Sequence, residues 1–140
     1  MPVDYRRKAR IVALQVLYEV DCAAHSVQGT LARALQESAL SEQASLLARE
    51  LAEGVDRDRA ALDEVVARHA PEYPVDQLSV VDRNILRIAI HEILFNNRTP
   101  PKVAINEAVE LAKLFGSLNI HRFINGVLGS VMEDIGARQS

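Results

Sequence analysis

Arg6, Arg7, Lys8 and Arg10 crowd the start of this 140-residue chain, and with only Asp4 against them they leave three net positive charges in the first ten residues. Tyr18 follows two helical turns later. Guanidinium forks grip phosphate oxygens, and a flat ring stacks on an unpaired base, so this combination suits single-stranded nucleic acid. At about 100° per residue, with Arg6 at zero, Arg10 falls near 40°, Leu14 near 80°, Arg7 near 100° and Tyr18 near 120°. The apolar stripe of Ala9, Val12, Ala13, Val16, Leu17 and Val20 covers roughly 240° round to 20°. Arg7, Arg10 and Tyr18 are therefore expected beside the core on one face. Helix dipoles favour acids in the first turn, so a basic opening runs against the local preference and points to an anionic ligand. The competing reading is a solubilising helix start with Tyr18 half-buried at its edge.

A second constellation lies near the other end. With Phe123 at zero, the aliphatic stripe of the last helix spans about 40° to 140°, and Asn119, Gly126 and Ser130 lie between about 300° and 340°. Phe123 thus stands between the core and a face of small or polar residues, with His121 and Arg122 beside it. A ring at the core edge explains it equally well. The cations of the first helix and this ring are expected to share one outer surface.

Catalytic patterns are missing. His25, His69, His91 and His121 stand far apart and match no paired-ligand spacing. No phosphate-binding glycine loop, dinucleotide fingerprint or nucleophile elbow occurs. Cys22 is the sole cysteine, which excludes an internal disulfide and a cysteine-based metal site and suits a reducing cytoplasm. The expectation is a binding protein, not an enzyme, with no cofactor and no metal.

These residues must be positioned by helices. Apolar residues make up 49% of the chain but aromatics only 4%, so Ala, Leu, Val and Ile do the packing. The spacing predicts a first helix from about Asp4 to Val20 and a shorter one beginning near Ser26. Ser41 caps a long helix through Leu47, Leu51, Val55, Leu62 and Val66, with a bend at Gly54 and an end at Pro71 and Pro74. Ser79 opens the second half in a capping-box-like start, followed by Ile85, Ile88, Ala89 and Ile93. After Pro100-Pro101 a helix carries Ile105, Ala108, Val109, Ala112 and Phe115 to a Gly116 cap. A last helix runs from Ile120 to Gly136. The fold class is all-α, one domain over 1–140 made of two small helical lobes, about 1–72 and 76–140, with six to seven helices.

The net charge of −3 excludes a generic nucleic-acid coat, so any such binding rests on the local basic patch. Residues 42–64 carry the opposite sign. Gln15, Glu19 and Asp21 interrupt the apolar stretch after the basic start, which argues against a targeting peptide. No apolar run approaches the ~18 residues of a membrane span.

Arg6-Arg-Lys-Ala-Arg10 through Tyr18 resembles the opening of the bacterial transcription antitermination factor NusB family. Asp82-Arg-Asn-Ile-Leu-Arg-Ile-Ala-Ile-His-Glu92 is similar to the family's fourth helix. Lys102-Val-Ala-Ile-Asn-Glu-Ala-Val-Glu-Leu-Ala-Lys113, with Phe115-Gly116 and Phe123-Ile-Asn-Gly-Val-Leu128, resembles its most diagnostic stretch. The likeness is weak between Cys22 and Leu78. It implies an all-helical RNA-binding factor that pairs with the ribosomal protein NusE, binds boxA RNA of ribosomal RNA leaders, and joins an RNA polymerase antitermination complex that promotes read-through and ribosome biogenesis.

Carried over, the resemblance places Arg6, Arg7, Arg10, Tyr18, Asn119, Arg122 and Phe123 at RNA-side positions. It points to Asp82 and Glu92 as acids facing basic NusE, with helix capping and a solvated charge as the competing readings. Asn106, Glu107, Asn125 and Gly126 belong to the signature as structural residues, and Arg83 or Arg87 is expected to pair with Glu107 or Glu110. Two departures stand out. Ser117-Leu-Asn-Ile120 replaces acids that many relatives carry after the glycine, which implies RNA affinity less dependent on the partner and an apolar surface compatible with a homodimer. His91 stands where relatives often have Tyr, and is expected as a neutral edge residue. The alternatives are a module related to the start of ribosomal RNA methyltransferases and a purely protein-binding helical scaffold.

Overall fold

A computed structural model describes residues 4–96 and 98–139. Seven α-helices account for most of them: α1 (Tyr5–Ala23), α2 (Val27–Ser38), α3 (Glu42–Arg57), α4 (Arg59–His69), α5 (Val80–Ile90), α6 (Pro101–Phe115) and α7 (Ile120–Gln139). A 3-10 turn at Val75–Gln77 precedes α5, and a wider π-type winding at His91–Asn96 follows it. No strand forms among the described residues, and no described helix is long and apolar enough to cross a membrane.

Short polar side chains set the helix starts, because an oxygen just ahead of the first turn can accept from an otherwise orphaned amide. Asp4 accepts from Arg6 N at 3.1 Å, Ser26 from Gly29 N at 3.2 Å, Ser41 from Ala44 N at 3.1 Å and Ser79 from Asp82 N at 3.1 Å. Pro101 opens α6, where its missing N–H costs nothing. α1 and α2 close on Ala24 and Ala39 in the left-handed region, at φ 55° and 51°.

The long helix expected from Ser41 is two helices. The break falls at Asp58, whose N–H donates to Gly54 O, and not at Gly54 itself. That break also divides the chain into two compact units, one up to Asp58 and one from Arg59 onward. The division therefore precedes the Pro71–Pro74 segment, because α4 packs on α5 and α7.

In the first unit α1 packs on both α2 and α3, which also touch each other. Its buried side chains include Val16, Leu17, Leu31, Leu51 and Val55, each worth about 1.5–3 kcal/mol when removed from water. In the second unit α5 is the central helix, touching α4, α6 and α7. Ile85 through Ile90 are buried without interruption. Arg87 lies among them and is neutralised by a two-pronged pair with Asp63 of α4, Nε and Nη2 donating at 2.8 and 2.9 Å. The helix α7 runs on through Gly136, which does not end it.

Candidate nucleic-acid interface

On α1 the cations are treated unequally. Arg6 is exposed, pairs with Asp4 at 3.4 Å, and lies over the Tyr5 ring at 4.7 Å. Asp4 serves twice, as helix cap and as counter-charge. The Arg6 amide and guanidinium hold its carboxyl below the usual value of 3.8. Arg7 is half-buried. Arg10 is only 2% exposed, which corrects the expectation of a surface phosphate contact. The reason is the width of the buried arc. α1 has two partner helices, so Leu14 is buried as well, and the arc reaches past Arg10 to stop near Arg7. Tyr18, one step further round, is 44% exposed. The Cys22 side chain one turn on is hydrogen-bonded to its hydroxyl and pushes the phenol's pKa up from the usual value.

The start of α7 is built around a turn that α5 holds in place. The Asp82 carboxylate accepts from Ser117 N at 3.1 Å and from Ser117 Oγ at 2.7 Å. Between them sits Gly116, with extended backbone at φ −81° and ψ 177°. Glycine is required here for space, since a Cβ would lie 2.7 Å from Ile120 Cγ2, 2.8 Å from Ala112 O and 2.9 Å from Asp82 Oδ1. Gly116 is the C-cap of α6 that the sequence suggests, with its N–H donating to Ala112 O, and it is also a close-approach residue. Asn119 takes the left-handed conformation instead, at φ 61°, which Asn tolerates better than most side chains. Its carbonyl accepts from Arg122 N at 3.3 Å as α7 begins.

From this turn Asn119 and Arg122 are exposed and Phe123 is half-buried. Phe123 meets Tyr73 edge-on, ring centres 5.0 Å apart and planes at 62°. The second unit therefore gathers Asn119, Arg122 and Phe123 at one helix start, and the first unit carries Arg6, Arg7 and Tyr18 along α1.

The two acids expected to face a basic partner are internal. Asp82 is 2% exposed, with its carboxylate turned onto Ser117. Glu92 is 1% exposed and accepts from Thr99 Oγ1 at 3.0 Å. Neither presents a carboxylate to an incoming protein. His91 is buried rather than at an edge, its ring stacked on Phe95 at 6.3 Å between centres. Arg87 pairs with Asp63, and Glu110 with Lys113 at 3.5 Å. Sequence reasoning missed Ser117 as the partner of Asp82, and Tyr73 as the partner of Phe123. An aromatic between two prolines was the available signal for Tyr73. Nothing local signalled Ser117, whose partner is 35 residues away.

The model of the NusB family matches residues 7–133. The transcription antitermination protein NusB of Dehalococcoides mccartyi is 50% identical over 126 residues, spanning 90% of this chain and 88% of its own. That of Chloroflexus aggregans is 45% identical over 129 residues, spanning 91% and 86%. Among solved structures, T. maritima NusB superposes with a TM-score of 0.85 at 30% identity, covering 95% of this chain and 93% of that one. A complex of the antitermination factors NusB and NusE with double-stranded RNA gives a TM-score of 0.85 at 25% identity, covering 95% and 99%. On this footing the chain belongs to the NusB family of transcription antitermination proteins.

Proposed function

We propose that the chain is a non-enzymatic, cytoplasmic RNA-binding adaptor that holds single-stranded boxA RNA and pairs with NusE within the RNA polymerase antitermination complex. In this role it promotes read-through and ribosome biogenesis. Arg6, Arg7 and Arg122 contact phosphates, Tyr18 and Phe123 stack bases, and Asn119 reads a base edge. Phosphate contacts give affinity and register, while base contacts give choice. The observation that carries the reading is the start of α7, where a turn tied to Asp82 sets a cation, an amide and a ring side by side. A turn this constrained presents its side chains with little left to order on binding. The solved NusB–NusE complex supports NusE as partner, with contacts other than the carboxylates of Asp82 and Glu92. The absence of acids from Ser117 to Ile120 supports RNA binding that persists without NusE.

Fluorescence anisotropy with boxA RNA, a scrambled strand and a boxA duplex, each with and without NusE, tests the proposal. The single boxA strand is expected to bind best, with NusE adding affinity. Three phosphate contacts give a log–log salt slope of about −2 on single-stranded RNA. Equal binding of boxA and scrambled RNA, or a slope near zero, overturns it.

A further inference from the structure

We infer that Tyr73 is a third base-stacking residue, and that the groove beside the Tyr73–Phe123 pair receives an unpaired nucleobase of the RNA strand held by Arg122 and Phe123. The inference rests on the RNA reading above and adds a residue and a subsite to it.

Tyr73 is a large ring left 56% exposed, in a position where stability gives it little to do. It stands between Pro71 and Pro74, whose fixed φ angles stiffen the segment, and its N–H donates to Ala70 O at 3.1 Å. The ring is thus presented on a short, braced turn. Its contact with Phe123 is angled, 62° between planes at 5.0 Å. An angled pair keeps ring faces uncovered where a parallel stack would close them.

Beside the pair lies a groove of about 350 Å³ lined by His69, Pro71, Glu72, Tyr73, Phe123 and Gly126, among others. Its Gly126 side is open, since a Cβ there would meet nothing within 4 Å. One polar group is fixed at the rim: His69 Nδ1 is hydrogen-bonded to Ser130 Oγ at 2.8 Å. Flat ring walls and an open approach are what a stacked base requires, and His69, whose Nδ1 is engaged by Ser130, makes one side of the groove polar. Continuity selects the occupant. Phe123 belongs both to this groove and to the helix start that carries exposed Arg122, so a strand whose phosphate reaches Arg122 passes its base over the groove.

The test uses the full chain and single-stranded boxA RNA carrying 2-aminopurine at one position at a time. For at least one position the wild type is expected to quench the probe, as stacking does. Tyr73→Ala is expected to lose that quench and to weaken binding roughly tenfold or more, with the protein still fully folded at the assay temperature and Tm lowered only by the lost ring contact. Tyr73→Phe restores both affinity and quench, because the ring and not the hydroxyl stacks. Unaltered affinity and quench in Tyr73→Ala overturn the inference, as does a loss that tracks only with a lowered Tm. If Phe123→Ala weakens binding and Tyr73→Ala does not, the Tyr73 subsite falls while the RNA reading stands. If the wild type binds no RNA at all, both fall together.

Discussion

Replacing Asp82 with Ala removes the tie between α5 and the turn that starts α7. The two lost hydrogen bonds, from Ser117 N at 3.1 Å and Ser117 Oγ at 2.7 Å, both end on a carboxylate. Bonds to charged groups contribute about 1.5–3 kcal/mol each. Two effects reduce the sum. Ser117 is exposed, so both donors regain water. Asp82 is 2% exposed, so its anion already carries a desolvation cost that the alanine relieves. The net loss is then about 2 kcal/mol, which for a chain of this size lowers Tm by about 6–10 °C. Ser117→Ala removes only the hydroxyl bond and should lose about 1 kcal/mol. Because the double variant has no hydroxyl bond left to lose, its Tm should match that of Asp82→Ala, giving a coupling of about 1 kcal/mol. Calorimetric unfolding of the four proteins measures this, and boxA anisotropy well below Tm should show weakened binding in both single variants. A Tm change within about 2 °C for Asp82→Ala, or strict additivity in the cycle, would refute the clamp.

Three further outcomes follow from the same geometry. Gly116→Ala forces a Cβ within 3.0 Å of three atoms and is expected to destabilise by about 1–3 kcal/mol in chemical denaturation. Arg7→Ala should weaken boxA binding with Tm preserved, whereas Arg10→Ala, at a buried position, should cost roughly 2–4 kcal/mol of stability; a silent Arg10→Ala would contradict its burial. Glu19 accepts from Arg33 and His25, which hold its carboxyl below 4.5. Its stabilisation is therefore present above 4.5 and fades as pH falls through the lowered value, so the Tm gap between wild type and Glu19→Gln should narrow in acid.

The helix starts were legible because their signal is local. Ser26, Ser41 and Ser79 each cap within three residues, and a pattern that short survives any tertiary arrangement. The buried stripe of α1 was legible in its centre and misread at its margin. A wheel assumes one partner helix, and α1 has two, so Leu14 and Arg10 turn inward. Asp82 and Glu92 were misread for a related reason. Their partners, Ser117 and Thr99, lie on other elements, and a charged letter in a string does not reveal whether a donor awaits it across the fold. Asn119 was read for its side chain, while its left-handed backbone is a second and independent reason for its presence.

Ala24 and Ala39 close α1 and α2 with φ of 55° and 51°, a conformation that costs a side-chain-bearing residue roughly 1–2 kcal/mol. Glycine would remove that cost while giving back about 0.5–1 kcal/mol in the freedom of the unfolded chain. The first unit thus holds an unspent reserve of thermal resilience at two solvent-facing corners remote in sequence from Arg6 and Arg7. Ala24→Gly would toughen the protein for engineering, whereas Ala39 lines one groove with Tyr5 and Lys8, so Ala39→Gly would also touch the cationic end of α1.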